Sequence, residues 1–181
     1  MSISILSELS DGRPSGEISS VENAVYDFLE KALIKYKYIE HSAADTIADC
    51  HIIEKYIGAK ICKNLFLKNS AGTQYYLLLI DGDARFDSKV ISRQVNSTRL
   101  SFGSPDNMIK LLGFEPGSAS VMGLINDKNS SVKLIVDSKL LTEDYFCCHP
   151  CKNTATLKFR TADIFEKFVP MTGHTYTIVN L

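Results

Sequence analysis

Tyr75-Tyr76-Leu77-Leu78-Leu79-Ile80 is a run of six aromatic and aliphatic residues with no charge. Side chains alternate between the two faces of a sheet, and here both faces are apolar. Such a strand belongs at the centre of a sheet, covered by helices or closed into a barrel. Ser70-Ala71-Gly72-Thr73 forms a turn that joins it to a preceding strand over about 61–69, which makes a hairpin.

Upstream, Ser19 or Ser20 caps a helix running to about Lys35, with Val21, Val25, Phe28, Leu29, Ala32, Leu33 and Tyr36 at helical spacing. Tyr38 to His41 reads as a short strand. Asp45-Thr46, with Asp49 beyond, opens a helix over 47–57 that Gly58 stops. Downstream, Asp87 caps a helix over 87–95, and Ser104-Pro105 starts another that ends at Gly113. Strands follow near 120–125 and 131–137, around the turn Asn126-Asp127-Lys128-Asn129. A strand over 154–160, a helix from Thr161 to Val169 and a strand from His174 to Val179 close the chain. The pattern predicts one α+β domain over residues 18–181, a curved mixed sheet or barrel surrounded by helices. The turn-rich residues 1–17 read as a flexible lead-in.

The chain has 181 residues, 45% of them apolar, enough for one full-sized core. A formal net charge of −1 lacks the strong basic field of a protein that wraps a duplex, so no DNA partner is expected. Any nucleic-acid contact should be local and involve few phosphates. No apolar run approaches the ~20 residues of a membrane span, and the first residues lack a basic leader. The expectation is a cytoplasmic protein with no membrane association. Nothing in the sequence sets an oligomeric state.

Cys50, Cys62, Cys147, Cys148 and Cys151 fall at irregular spacings and read as free thiols. The run Cys147-Cys148-His149-Pro150-Cys151 invites a zinc reading, but structural zinc takes paired ligand clusters, and the other Cys and His residues are remote in sequence. No metal is expected. The nucleophile elbow, Walker loop, dinucleotide fingerprint and H-E-x-x-H motif are absent, so no cofactor is called for.

Three segments could carry chemistry. Lys63-Asn64 places a cation and a carboxamide at the entrance of an apolar strand. A half-buried Lys is costly unless it has a partner, which can be a ligand anion; the alternative is a charged gatekeeper on an exposed edge. Pro116-Gly117-Ser118-Ala119-Ser120 puts small residues in a row, so that backbone N–H groups can approach an anion or oxyanion; a plain turn after a helix is the other reading. His149-Pro150-Cys151-Lys152-Asn153-Thr154-Ala155-Thr156 offers an imidazole and a row of hydroxyls and amides suited to ribose or an amino acid, or else a self-satisfied turn. Arg85, Lys89, Arg93 and Arg99 form a basic ridge that could touch RNA phosphates or stay a solvated face.

In order and spacing these segments resemble the YbaK/ProX superfamily of aminoacyl-tRNA editing domains, over roughly residues 20–181. Tyr38-Ile39-Glu40-His41, Lys63-Asn64-Leu65-Phe66-Leu67, Asp87-Ser88-Lys89, Leu112-Gly113-Phe114-Glu115-Pro116-Gly117-Ser118, Gly123-Leu124-Ile125-Asn126-Asp127 and His149-Pro150 with Asn153-Thr154-Ala155-Thr156 carry the likeness. The ProX branch, which clears alanine from mischarged proline tRNA, is the nearest look. The resemblance implies that Lys63 holds the substrate's 3′ end. It implies that amides of Gly117, Ser118 and Ala119 face the scissile carbonyl. Asn64, Ser120, His149, Asn153 and His41 would then contact the substrate. One departure stands out: the family's loop reads Gly-x-x-x-Pro, whereas Val121 occupies that fifth position and Met122 follows where an aromatic is frequent.

The implied reaction is hydrolysis of the ester between an amino acid and the terminal adenosine of tRNA, with aminoacyl-tRNA as partner. A non-catalytic module binding a tRNA end or amino acid, and a Cys-based or metal-dependent enzyme, are the competing readings.

Overall fold

The computed structural model describes residues 3–181; Met1 and Ser2, part of the lead-in, lie outside the described residues. Its strands are β1 (Ser10–Asp11), β2 (Lys37–Glu40), β3 (Lys63–Lys68), β4 (Tyr75–Ile80), β5 (Ser101–Phe102), β6 (Val132–Asp137), β7 (Tyr145–Cys148), β8 (Ala155–Arg160) and β9 (Tyr176–Val179). Its helices are α1 (Ser20–Lys31), α2 (Ile47–Ile57), α3 (Ser88–Gln94), α4 (Pro105–Leu112), α5 (Ser138–Leu141) and α6 (Val169–Met171).

The strands build two sheets rather than a closed barrel. One is mixed, in the order β5-β3-β4-β6-β9; the other is antiparallel, in the order β1-β2-β8-β7. β4 sits in the middle of the first, antiparallel to β3 and parallel to β6. A single bridge, Ile61 to Cys147, links the sheets beside the start of β3 and leaves the edge of β3 open there. Closure would need continuous pairing along that edge, and β5 reaches only Leu67 and Lys68.

Both faces of β4 are buried, as its composition requires. Leu77 and Leu79 join the large core with α1, β8 and the 163–168 segment, while Tyr76, Leu78 and Ile80 pack against Ile91 and Leu100. Each fully buried Leu contributes about 1.5–3 kcal/mol. A third cluster, Ile39, Ile53, Ile57, Ile61 and Cys147, seats α2 on the smaller sheet. The lead-in runs beside β2: Ser10 and Asp11 pair with Tyr38 and Lys37, and Ile3, Ile5 and Leu9 pack against this third cluster.

Most helix ends obey their caps. Ser19 with Glu22 and Thr46 with Asp49 form capping boxes, and Gly58 and Gly113 end α2 and α4 in the left-handed conformation. α1 stops at Lys31, not Lys35. Leu33 takes φ 54°, and the Leu33 and Ile34 N–H groups donate to Glu30 and Leu29 carbonyls, which closes a Schellman turn. Leu33 is therefore 86% exposed rather than part of the apolar stripe.

Residues 121–126 form a 3-10 helix instead of a strand, capped by the Ser120 hydroxyl, which accepts the Met122 N–H at 3.2 Å. A short run buried on every side has no period to distinguish the two. The segment expected as one helix from Thr161 to Val169 is a π-helix over Asp163–Phe168 that continues into α6.

Candidate active site

The site forms at the open edge of β3. Successive strand residues face opposite ways, so Lys63 and Asn64, adjacent in sequence, diverge. Lys63 lies on the side of Leu65 and Leu67, and its ammonium donates to the Ala84 carbonyl at 2.9 Å. Asn64 lies on the side of Phe66. Its Oδ1 accepts the Val121 N–H at 2.9 Å, and its Nδ2 donates to the Cys62 carbonyl at 3.3 Å. The entrance of the strand is fixed by the Ile61 N–H, which donates to Glu54 of α2 at 2.8 Å.

The loop between α4 and the 3-10 helix supplies the opposite wall. Gly117 has φ +87°, and a Cβ there would meet nothing within 4 Å, so backbone conformation rather than space favours glycine. The Ser118 N–H donates to the Glu115 carbonyl at 3.1 Å and Val121 is engaged by Asn64, whereas the Gly117 and Ala119 N–H groups have no acceptor among the described residues. At the position where the resembled family carries Pro, this chain thus uses the Val121 N–H to tie the loop to β3, a bond that Pro cannot make.

His149 follows β7 and is held from two sides. Its Nδ1–H donates to the Ala155 carbonyl at 2.8 Å, and its own carbonyl accepts the Ser120 hydroxyl at 2.5 Å. That tautomer leaves Nε2 as an acceptor with no partner among the described residues. Burial holds the His149 pKa below its ordinary value, with the neighbouring His41 ring, 6.2 Å away between centroids, adding to the depression. The imidazole is neutral at pH 7.

Lys63, Asn64, Gly117, Ala119 and His149 line one cleft of about 300 Å³. Ser118, Ser120, His41 and Asn153 do not. The Ser120 side chain is fully buried against His149. His41 is 0% exposed, with Nδ1 donating to the Ser42 carbonyl and Nε2 accepting from Thr156 Oγ1 at 2.9 Å, so it packs behind His149. Asn153 donates to Asp45 at 3.2 Å and pins the loop before α2. The cleft also takes Ile61, Leu65, Phe66, Phe102 and Met108 as apolar walls. Sequence reading missed Phe102 and Met108. The 105–112 helix periodicity could have flagged Met108, but a two-residue strand such as β5 gives no signal.

Cys62, Cys147, Cys148 and Cys151 are buried free thiols. Burial pushes Cys147 and Cys151 up to about 12 and raises Cys62 and Cys148 as well. Thiols of this kind carry almost no thiolate at neutral pH and are inert. No group of three or more His, Cys, Asp or Glu able to hold a metal ion occurs among the described residues.

Lys63, the neutral His149, two residues with unpaired backbone N–H groups and apolar walls, with no carboxylate in the lining, give the cleft a chemistry suited to an anionic or acyl group. Two thiols, Cys50 and Cys62, also line the cleft, and burial raises the pKa of both. Residues 41–167 match the aminoacyl-tRNA editing domain family, and the chain belongs to that family.

It is 34% identical over 160 residues to prolyl-tRNA editing protein ProX of Acetoanaerobium sticklandii, covering 88% of this chain and 97% of that protein. It is 30% identical over 153 residues to mouse prolyl-tRNA synthetase associated domain-containing protein 1, covering 81% of this chain and 88% of that protein. The fold matches the crystal structure of hypothetical protein APE2540, with TM-score 0.67 at 18% identity, covering 86% and 98% of the two chains. No helix among the described residues is long and apolar enough to cross a membrane.

Proposed function

We propose that residues 18–181 form a trans-editing deacylase that hydrolyses the ester of mischarged aminoacyl-tRNA, with alanyl-tRNA of proline tRNA as its substrate. The observation that carries this reading is the convergence of Lys63, the unpaired N–H groups of Gly117 and Ala119, and the neutral His149 on one small cleft. The family and the relative named for prolyl-tRNA editing support it.

The terminal ester of an aminoacyl-tRNA is already labile, so positioning and charge stabilisation suffice without a covalent nucleophile. Water adds to the carbonyl carbon, the negative charge moves to the carbonyl oxygen, and the N–H groups of Gly117 and Ala119 donate to it. The bond to the ribose 3′ oxygen then breaks, and the proton lost by the water passes to that oxygen through the neighbouring 2′-hydroxyl. Lys63 remains charged throughout and binds the terminal phosphate or polarises the ester. His149 Nε2 accepts from the substrate's α-ammonium group, a role open only to a neutral ring. Asn64 and Ser120 act one step back: the first fixes the loop through Val121, and the second fixes the His149 backbone.

Selection between alanine and proline is steric. Phe66, Phe102 and Met108 wall the space beside the acyl group, and a difference of one or two carbons in such a pocket changes binding by about 1–3 kcal/mol. The test is single-turnover hydrolysis of alanyl and prolyl esters on the same proline tRNA. Alanine should be released at least ~10-fold faster. Neither ester leaving faster than in buffer would overturn the proposal.

A further inference from the structure

The face of the mixed sheet that Lys63 joins carries a second cavity, of about 740 Å³, which the hydrolysis does not use. Arg85, Lys89, Arg93 and Arg99 line it, all exposed, and none forms an ion pair among the described residues. The acid among its lining residues, Asp87, is spent as the cap of α3, accepting the N–H groups of Lys89 and Val90. The backbone that carries the cations is held in place. Ser88 Oγ donates to the Leu100 carbonyl at 2.5 Å, and Ser92 Oγ accepts the Leu100 N–H at 2.9 Å, which fastens the Arg99 segment against α3. Four cations gathered beside a single carboxylate leave a net positive charge of three, and the like charges repel one another. The arrangement becomes favourable when a polyanion lies in the groove.

The groove lies next to the cleft, although the two share no lining residue. The Lys63 ammonium donates to the Ala84 carbonyl, one residue before Arg85. Phe86 lines the groove and Phe102 lines the cleft, with their rings 5.7 Å apart between centroids. Phe102 is 62% exposed, an open ring face at the junction.

We propose that this groove holds the sugar–phosphate backbone of the RNA whose aminoacylated end occupies the cleft, with Phe102 as the stacking platform for a terminal base. The proposal rests on the reading of the cleft as an aminoacyl-ester site and assigns how the rest of the substrate is held. Arginine and lysine contacts to phosphate are independent of sequence, and aromatic stacking accepts any base. The groove therefore supplies affinity, leaving selection to the acceptor end and the cleft.

The experiment measures two quantities on the native chain, on the variant Arg85→Gln/Lys89→Gln/Arg93→Gln/Arg99→Gln, and on a control, Lys31→Gln/Lys35→Gln. The first is affinity for deacylated proline tRNA across a salt series. The second is hydrolysis of 3′-O-alanyl adenosine, which has no RNA body. The groove variant should bind tRNA at least ~10-fold more weakly, and its log–log salt slope should flatten by about 0.7–0.9 for each phosphate no longer neutralised. It should hydrolyse alanyl adenosine at the native rate and melt at the native temperature, and the control should match the native chain throughout.

Unchanged tRNA affinity and slope in the groove variant would overturn the proposal. So would weakening in the control in proportion to the two charges it loses against four, which would reduce the effect to net charge. If the native chain binds tRNA through the groove yet hydrolyses neither ester, the catalytic reading of the cleft fails and the groove assignment stands.

Discussion

Replacing Asn64 by Ala removes the oxygen that accepts the Val121 N–H at 2.9 Å. Val121 is fully buried, so its N–H is left without water or protein to bond. An orphaned buried donor costs about 1–3 kcal/mol. For a domain of this size about 1 kcal/mol moves the melting midpoint by about 2–4 °C, so a drop of about 2–12 °C is expected. Val121→Pro deletes the same bond from the other side. The backbone accepts it: Ser120 has φ −151° and ψ 147°, the extended conformation required before Pro, and Val121 opens the 3-10 helix, where the N–H is not needed by the helix itself. The half-buried Asn64 oxygen can then take water.

In the Pro background no donor remains to be orphaned, so Asn64→Ala should cost about 1–2 kcal/mol less there than in the native chain. Urea denaturation of the four proteins gives the coupling directly. Equal costs in the two backgrounds, within about 0.5 kcal/mol, would refute the tie between β3 and the loop.

Two further outcomes follow from the geometry. Burial holds both His41 and His149 below their ordinary value of 6.5, so the unfolded chain binds protons that the folded chain refuses. Their contribution to stability is present above pH 6.5 and is lost as pH falls toward the folded values. His51 shifts the other way through Glu54, but it is exposed and its effect is screened. Denaturation at pH 7 and pH 5.5 should show lower stability at pH 5.5, and no loss would contradict the neutral-imidazole assignment. Gly103→Ala would drive a Cβ into the Phe66 ring, the wall of the cleft. Overpacking of this kind costs about 1–3 kcal/mol. The displaced ring should raise KM for the alanyl ester; unchanged KM and stability would mean that Phe66 moves freely.

How far the sequence reads depends on the range of the interaction involved. β4 and the capped helices were legible because their signals are local: an apolar run on both faces, Ser19 with Glu22, Thr46 with Asp49, glycine at 58 and 113. Lys63, Gly117 and His149 stood out because a cation, a row of small residues and an imidazole flank apolar segments. The end of α1 was not legible, since Leu33 adopts the left-handed conformation that glycine usually marks. Nor was the 3-10 helix at 121–126, where burial on every side erases the period.

The roles of the remaining site residues depend on long-range partners. Asn64 meets Val121 57 positions away and His41 meets Thr156 115 positions away, and neither distance can be read from spacing. For the same reason the internal bonds of Asn64, which lines the cleft, and of His41, which is buried behind His149, could not be foreseen. The Cys147-Cys148 pair, which drew attention as a metal motif, belongs to β7, the end strand of the smaller sheet, where both thiols are buried.

The most direct test of the account is the rate at which native chain and Lys63→Ala release alanine from alanyl-tRNA of proline tRNA under single-turnover conditions. An ammonium at the edge of β3 that neutralises phosphate or polarises the ester predicts a loss of at least ~100-fold in the variant, with its fold intact. Equal release by the two proteins would contradict the assignment of the cleft as the site of hydrolysis.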